Sequence, residues 1–320
     1  MHCPANGEAK FVAVTLNWDD AVPPSAVHQI GVVQEDKQFF LSVCLAPLWG
    51  GSPKWLMLIE FIEYYLLQGA EHFFIYRQTV DALTQTVLDS YTKRGLLEVI
   101  DVTEETKCLK KHRCRHEMQL QDCVFRARGR SKWVATVDLD ERIAVNSGKT
   151  LTEYVRTTGE ESRGELRFRC RWVLRLDEIP TSPSSWRSEG AHTPMAVWHN
   201  TSHVAPVNHT TKSIIQPEKV CLFVAPHKAA ASVTSFQAKV EGMSVHQVLR
   251  FSPGADVFLV PSEEAVVRHY RYTQGWAFFL KEAETFGEFE ETTVTSTLAK
   301  TLENNVHQAV DHLFPEETSS

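Results

Sequence analysis

The sequence predicts an α/β fold in which helices flank a mostly parallel, Rossmann-like sheet. From residue 38 to residue 137, short apolar runs alternate with segments of helical spacing in the order β-α-β-α-β-α-β. This order is typical of parallel strands joined by right-handed crossovers. The last strand of the series ends in a cluster of acidic residues, and ligands of open α/β sheets bind beyond the carboxyl ends of the strands. We therefore expect an enzyme whose site lies at that edge.

The first half of the chain supplies the clearest elements. Gln38–Leu45 is predicted to be a strand, and the Pro- and Gly-rich segment Ala46–Pro53 is expected to end it as a crevice-lining loop. Apolar residues then follow at helical spacing in Lys54–Gln68, with Gly69 as a left-handed stop. The next elements are strand His72–Tyr76, helix Asp81–Lys93, strand Leu97–Asp101, helix Arg115–Arg128 and strand Trp133–Val137.

The regularity weakens after Thr150, so the remaining assignments rest on shorter signals. We expect residues 37–272 to form one catalytic domain, to which the strand and loop of residues 1–36 also belong, and residues 273–320 to form a C-terminal helical extension. The predicted segments are strands Lys10–Leu16, Gly164–Leu174, Lys212–Pro217 and Gln247–Phe251, a turn-rich loop Pro180–Trp186, and helices Gln274–Phe286 and Thr293–Leu313.

The composition excludes several classes of protein. At 320 residues and 43% hydrophobic, the chain is an ordinary globular protein and is not intrinsically disordered. The net charge of -7 without a basic stripe argues against nucleic acid as a partner. No apolar run approaches the roughly 18 residues that span a bilayer, and no signal peptide is visible. Seven scattered cysteines without a CxxC motif argue against a zinc site.

An acidic cluster follows directly on the strand Trp133–Val137. Asp138 and Asp140 stand at i and i+2 and point the same way, while Leu139 turns back into the core and Glu141 follows. Carboxylates suit Mg²⁺ or Mn²⁺, and an ion held by one or two of them keeps positions open for substrate phosphates. A solvated exit from a strand is the ordinary explanation of such a triplet. The βα pattern upstream favours a metal site for a nucleotide diphosphate.

A series of short motifs extends from Lys10 to Tyr272. These motifs are Val43–Leu48, Lys54–Trp55, Glu60–Tyr64, Gln121–Cys123, Ser131–Val134, Asp138–Glu141, Lys212–Ile214, Pro217–Val220, Val245–His246 and His269–Arg271. In order and spacing the series resembles glycosyltransferase family 92, and a long ordered series is more specific than any single motif. Gln216, where the family usually has a basic residue, and the segment Arg171–Trp186 depart from the family pattern.

The resemblance implies a GT-A type fold, a UDP-sugar donor, a divalent metal (Mn²⁺ or Mg²⁺) and inverting transfer of a hexose. The activity known in the family is transfer of galactose from UDP-galactose to a glycan, here on a glycoprotein or glycolipid. Family members are typically type II membrane proteins of the Golgi. The resemblance therefore implies a membrane anchor, although no apolar run in this sequence is long enough to form one.

The resemblance also implies roles for individual residues. Asp140 would ligate the metal directly, Asp138 would face the ribose or sugar hydroxyls of the donor, and Glu141 would support both. His269 is the candidate for a second metal ligand, and His246 is the reserve choice. A histidine after an apolar run is more often a structural residue, so this assignment depends on the resemblance.

Further residues are expected to contact the donor. Lys212 and Arg271 are candidates for phosphate contacts, because a cation there offsets charge on the leaving group. Ala46–Ser52, with Pro47 among its residues, is placed to receive the nucleoside. Residues expected to flank the base or stack on a ring are Tyr76, Arg77 and Trp49.

The sequence leaves two questions open. Inversion requires a general base, and the sequence does not choose among the candidates Asp177, Glu178, Glu189 and Glu218. The alternatives to a transferase are a catalytically inactive, glycan-binding homologue and a nucleotidyltransferase. The absence of a Gly-rich, basic phosphate loop near the N-terminus counts against the nucleotidyltransferase.

Overall fold

The computed structural model describes residues 10–13, 20–29, 36–102, 114–221, 242–272 and 277–316. The strands in these ranges are β1 (Phe11–Val12), β2 (His28–Gln29), β3 (Phe39–Leu48), β4 (His72–Arg77), β5 (Leu97–Asp101), β6 (Ser131–Val137), β7 (Glu141–Val145), β8 (Arg163–Phe168), β9 (Cys170–Arg175), β10 (Asn200–Thr201), β11 (Lys212–Ile215), β12 (Asp256–Leu259), β13 (Ala265–Tyr272) and β14 (Glu290–Glu291). The α-helices are α1 (Trp55–Leu67), α2 (Ala82–Lys93), α3 (Cys114–Ala127), α4 (Leu151–Thr158), α5 (Pro183–Ser188), α6 (Pro194–Val197), α7 (Ala277–Glu284) and α8 (Ser296–Leu313).

The main sheet has the strand order β12-β8-β11-β6-β3-β4-β5 within the described ranges. Strand β3 pairs in parallel with β4 and β6, and β4 pairs in parallel with β5. Helices α1, α2 and α3 connect these strands in chain order. The predicted β-α-β-α-β-α-β series is therefore confirmed, and with it the α/β fold with a Rossmann-like, mostly parallel sheet flanked by helices.

One reversed strand brings a lysine to the acidic cluster. Strand β11 runs antiparallel to β6 on one side and to β8 on the other. Because Ser213 lies opposite Thr136 in this register, Lys212 reaches the carboxyl end of β6.

A second sheet, with the order β14-β10-β9-β13-β7, was not predicted from the sequence. Its strand β13 pairs antiparallel with β7 and in parallel with β9. The register sets His269 opposite Glu141 on β7 and opposite Trp172 on β9. A histidine that is 128 positions away along the chain from Glu141 is therefore its cross-strand neighbour.

The segment Ala46–Pro53 begins differently from the prediction. Strand β3 extends through Ala46 and Pro47 to Leu48 rather than ending at Leu45. Proline lacks the N–H that a ladder needs, so it is confined to edges and bulges. The last pair between β3 and β6 is Leu45 with Val137, and the pairing with β4 is irregular between Leu45 and Leu48. Pro47 therefore lies at a bulge where the ladder does not need its N–H.

Three further assignments are wrong. Gly164–Leu174 is two strands in different sheets, because the chain leaves β8 at Phe168 and enters β9 at Cys170. Pro180–Trp186 contains the start of α5, which Ser182 caps through Ser185 in a capping box with Pro183 in the first turn. Gln247–Phe251 forms isolated bridges rather than a strand. Of the predicted strand Lys10–Leu16, residues 14–16 lie outside the described residues.

The helices on one face of the main sheet pack tightly. Helix α1 is buried almost throughout, including Glu60 and Glu63, which lie off the apolar stripe that predicted this helix. Helix α8 packs on α1 through the buried residues Leu302, Val306 and Val310. Within the described ranges, no helix combines the length and the apolar character needed to cross a bilayer.

A disulfide joins the main sheet to the helix on its other face. It links Cys44 of β3 to Cys123 of α3, 79 positions apart in the sequence. Cys170 and Cys221 are free thiols. The sequence left the pairing of the cysteines open.

Candidate active site

A cavity of about 710 Å³ opens beyond the carboxyl ends of β3, β4 and β6. This is the edge of the sheet where the sequence predicts a ligand. The predicted site residues that line it are Pro47, Trp49, Asp138, Asp140, His269 and Arg271.

The acidic cluster forms a tight turn between β6 and β7. The Asp138 N–H donates to Glu141 Oε2 at 2.8 Å, and the Glu141 N–H donates to the Asp138 carbonyl at 3.0 Å. The Asp140 carbonyl accepts from the Tyr270 N–H at 2.7 Å, which fastens the turn to β13. Glu141 is buried and does not line the cavity, whereas Asp138 and Asp140 do. The structure thus places Glu141 behind the two aspartates, and its supporting role stays a prediction.

Lys212 lies behind the cluster and not in the cavity. Its Nζ contacts Asp138 Oδ2 at 2.8 Å and Glu141 Oε2 at 3.0 Å, and its side chain is 1% exposed. Burial alone would lower the pKa of Lys212, but the two carboxylates outweigh it and raise the pKa above its usual range. Burial alone would raise the pKa of Asp138, yet Lys212 and His116 hold it well below its usual range. The structure thus places Lys212 against two carboxylates and outside the cavity lining, where the predicted phosphate contact would need it.

Asp140 and His269 form the pair that faces the cavity. His269 Nε2 lies 3.3 Å from Asp140 Oδ2, and His269 Nδ1 lies 3.6 Å from Glu141 Oε1. Burial alone would lower the pKa of His269, but Asp140 raises it well above its usual range. The negative charge of Asp140, which favours a proton on this imidazole, also favours a metal cation at the same place.

The donor set fits a divalent cation that shares its coordination with a substrate. Ligands at about 2.1 Å in an octahedron lie about 3 Å apart, close to the separation of Asp140 and His269. No group of three or more His, Cys, Asp or Glu side chains among the described residues is arranged to hold a metal. In addition, Asp138 Oδ1 is buried, lies 3.5 Å from His116 Nε2 and accepts no hydrogen bond from the described part of the chain. The site therefore offers a partial set of ligands and a further oxygen beside it.

Several cations in the cavity were missed by the sequence argument. Arg115, His116 and Arg175 line it together with Arg271. Arg271 stacks on Phe279 at 3.7 Å from the ring centroid, and Arg175 stacks on Tyr272 at 4.7 Å. Arg115 and His116 adjoin each other at the start of the helix before the acidic strand. The basic pair at that helix start is the only signal that the sequence carries for them.

The residues expected to flank the base lie outside the cavity. Tyr76 is 2% exposed and donates from its hydroxyl to Asp122 at 2.6 Å. Arg77 contacts Asp101 at 2.6 Å. The next residue, Gln78, lines the cavity instead. Trp49, at 58% exposed, is the aromatic residue on the wall of the cavity that remains open to solvent.

The candidates for the general base also lie elsewhere. Glu218 pairs with Lys37, and Glu178 accepts from the Tyr272 hydroxyl at 3.2 Å. Asp177 and Glu189 are exposed. Of the described residues that line the cavity, the carboxylates are Asp138 and Asp140. The base therefore has no assignment. The reserve ligand His246 also lies outside the lining, within 3.2 Å of the Thr211 carbonyl.

Comparison with known proteins gives one family match. Residues 40–227, more than half of the chain, match the family model of glycosyltransferase family 92. None of the curated proteins compared with the chain matches it.

Similar solved structures include the mannosyltransferase PcManGT from Pyrobaculum calidifontis, in complex with GDP-Man and Mn²⁺. The two chains are 11% identical with a TM-score of 0.38, over 89% of this chain and 74% of that one. HddC from Yersinia pseudotuberculosis is 12% identical with a TM-score of 0.34, over 78% of this chain and 100% of that one. TarS from S. aureus is 16% identical with a TM-score of 0.29 over 45% of this chain, which spans 23% of the TarS chain.

Proposed function

The chain belongs to glycosyltransferase family 92, and from that premise we propose that it is a metal-dependent, inverting galactosyltransferase. It would take galactose from UDP-galactose and transfer it to a hydroxyl of a glycan. The observation that carries this proposal is the Asp140–His269 pair, 3.3 Å apart, on the wall of a 710 Å³ cavity at the carboxyl ends of the parallel strands.

The cavity supports binding of a nucleotide sugar. Its volume lies within the range of about 300–1,000 Å³ that is usual for small-molecule sites. Trp49 and Pro47 at the end of β3 offer apolar surface for the nucleoside. Arg115, Arg175 and Arg271 offer positive charge for a diphosphate. The lining thus combines apolar surface that suits a base with positive charge that suits a diphosphate leaving group.

Asp140 and His269 would hold the divalent cation, Mn²⁺ or Mg²⁺. When bound there, the cation supplies Lewis acid stabilisation of the departing diphosphate. The surroundings of the pair support this role, because Glu141 lies 3.6 Å from the far nitrogen of His269. Carboxylates behind a ligating histidine commonly fix its orientation. The backbone bond from Tyr270 to Asp140 fixes the other ligand.

Asp138 would orient the sugar or ribose of the donor. Lys212 keeps this carboxylate ionised and engages Oδ2, whereas Oδ1 makes only a 3.5 Å contact with His116 Nε2 and could accept a hydrogen bond from a donor hydroxyl. Inversion and the choice of galactose rest on the family alone. A Golgi location also remains a proposal, and the Cys44–Cys123 disulfide supports an oxidising compartment.

Transfer of galactose with analysis of the product tests this proposal. The protein is incubated with UDP-galactose, Mn²⁺ and a panel of glycans, and UDP release and the anomeric configuration of the product are measured. Because UDP-galactose is α-linked, we expect a β-linked product. Asp140→Asn should lower the rate about 100-fold or more, because it weakens charge stabilisation of the leaving group.

Asp256→Asn is the matched control, since Asp256 is exposed on β12 and outside the cavity. It should leave the rate unchanged. An α-linked product would contradict inversion. UDP-galactose binding without turnover on any glycan would favour a glycan-binding protein and contradict the transferase proposal.

A further inference from the structure

The second sheet carries three arginines side by side on adjacent strands. The register places Arg268 of β13 directly opposite Arg142 of β7 and also opposite Arg171 of β9. We call these residues the arginine row. Like charges at directly opposite positions of a sheet repel each other, so such a row needs nearby negative charge.

Two members of the arginine row have a carboxylate partner. Arg142 Nη2 lies 3.1 Å from Glu60 Oε1, and Arg171 pairs with Glu290. Arg268, the central member, is 4% exposed, and no described Asp or Glu forms an ion pair with it. A buried charge without a counter-charge is costly, and the expected remedy is a bound anion.

The hydrogen bonds of Arg268 leave donors available. Nη1 donates to Thr292 Oγ1 and Nη2 donates to the Thr292 carbonyl, each at 2.7 Å. Nε makes a longer contact of 3.4 Å with the Tyr270 hydroxyl. A guanidinium carries five N–H groups, so two have no acceptor among the described residues.

Arg268 lines a cavity of about 330 Å³ that is separate from the donor cavity. Alternation along β13 explains the separation: His269 and Arg271 face the donor cavity, while Val266 and Arg268 line this second one. Within the described chain, Arg171 and Lys149 also line the second cavity, and no Asp or Glu does. The lining is otherwise rich in threonine hydroxyls. The cavity is positive although the chain has a net charge of -7.

The start of α8 adds to the positive potential of the second cavity. Thr297 and Leu298 in the first turn of this 18-residue helix line the cavity. Thr295 makes no side-chain cap bond, and the first turn carries no acidic residue. The N–H groups at a helix start favour an anion, and here a buried arginine faces the same space.

We propose that this second cavity binds an oxyanion group, such as sulfate, phosphate or carboxylate, with Arg268 as its anchor. Its volume is at the small end of ligand sites, so the group is either free or carried by a molecule of about monosaccharide size. The threonine hydroxyls suit a sugar that bears the anion. This inference does not depend on the transferase function.

Isothermal titration calorimetry with sodium sulfate, at constant ionic strength in chloride, tests the proposal. The wild type should bind sulfate saturably, and Arg268→Gln should weaken binding about tenfold or more because a charge-assisted contact is lost. Arg94→Gln is the matched control, since Arg94 is exposed and outside both cavities, and it should bind like the wild type. Parallel titrations with a hexose 6-sulfate and with the uncharged hexose distinguish a ligand that carries the anion on a sugar from a free anion.

A second variant covers the case in which Arg268→Gln fails to fold. Thr297→Glu places a carboxylate in the first turn of α8, where it stabilises the helix and competes with the anion. It should fold and lose the sulfate response, whereas Ser296→Glu, outside the lining, should keep it. No saturable binding by the wild type, or equal binding by Thr297→Glu, would overturn the proposal.

Discussion

Replacement of Lys212 by methionine tests the electrostatic account of the acidic cluster. Methionine keeps much of the volume of the lysine side chain and removes the charge. In the wild type, Nζ lies 2.8 Å from Asp138 Oδ2 and 3.0 Å from Glu141 Oε2, with the lysine side chain 1% exposed. The substitution would leave the Asp138 and Glu141 carboxylates close together without the cation that they share.

The expected loss of unfolding free energy is about 3 kcal/mol. Breaking a buried pair by removing one partner costs about 3–5 kcal/mol. The lower end of this range applies because the Asp138 side chain is 29% exposed and can regain contact with water. The Glu141 side chain is 2% exposed and cannot regain it. Urea unfolding of both proteins at neutral pH measures the difference. Lys132→Met, an exposed lysine on β6, should change the free energy by less than about 0.5 kcal/mol.

A double substitution separates charge from packing. If Lys212 acts through its charge, Glu141→Gln should destabilise the Lys212→Met protein less than it destabilises the wild type, with a coupling of about 1 kcal/mol or more. A loss below about 1 kcal/mol for Lys212→Met, or strict additivity of the two substitutions, would refute the electrostatic reasoning.

Substitutions at the candidate metal ligand His269, at the exposed Trp49 and at the Cys44–Cys123 disulfide should each have a measurable effect. His269→Ala should weaken binding of Mn²⁺ in the presence of UDP by at least about tenfold, because a metal ligand is lost. His246→Ala is the control and should leave Mn²⁺ binding unchanged. Equal effects of the two substitutions in paramagnetic resonance titrations would contradict the assignment of His269 as a ligand. Trp49→Ala should weaken UDP binding by about 1–3 kcal/mol if the base stacks on the indole, with little effect on stability because Trp49 is 58% exposed; unchanged calorimetric affinity would exclude stacking. Replacing both Cys44 and Cys123 by alanine should lower the unfolding free energy by about 4 kcal/mol from the loop of 79 positions; an equal urea midpoint for the oxidised wild type and the variant would show that the bridge does not stabilise the fold.

The first half of the fold was predictable because its signals are local. The strand Trp133–Val137, the helix that ends before Gly69 and the acidic cluster at the end of the strand each follow from neighbouring residues. Gly69 has φ +85°, as its position after the helix predicted. Parallel strands joined by helices then bring their carboxyl ends to one edge, so the position of Asp138 and Asp140 at a cavity follows.

The rest of the site depends on contacts between distant residues. Lys212 was expected to bind phosphate, but the reversed strand β11 inserts it behind Asp138, and that register is not encoded locally. His269 meets Asp140 because β13 pairs with both β7 and β9 in a sheet that periodicity did not indicate. Here the family resemblance supplied what the sequence pattern lacked. It gave no signal for Arg175, which lies in the segment that departs from the family pattern.

The proposed function depends on Asp140 and His269 holding a divalent cation against the diphosphate of the donor. Calorimetric titration of UDP with and without Mn²⁺, in the wild type and in Asp140→Ala, tests it most directly. Mn²⁺ should strengthen UDP binding to the wild type about tenfold or more and have no such effect on Asp140→Ala. Equal binding of UDP with and without Mn²⁺, and by both proteins, would contradict it.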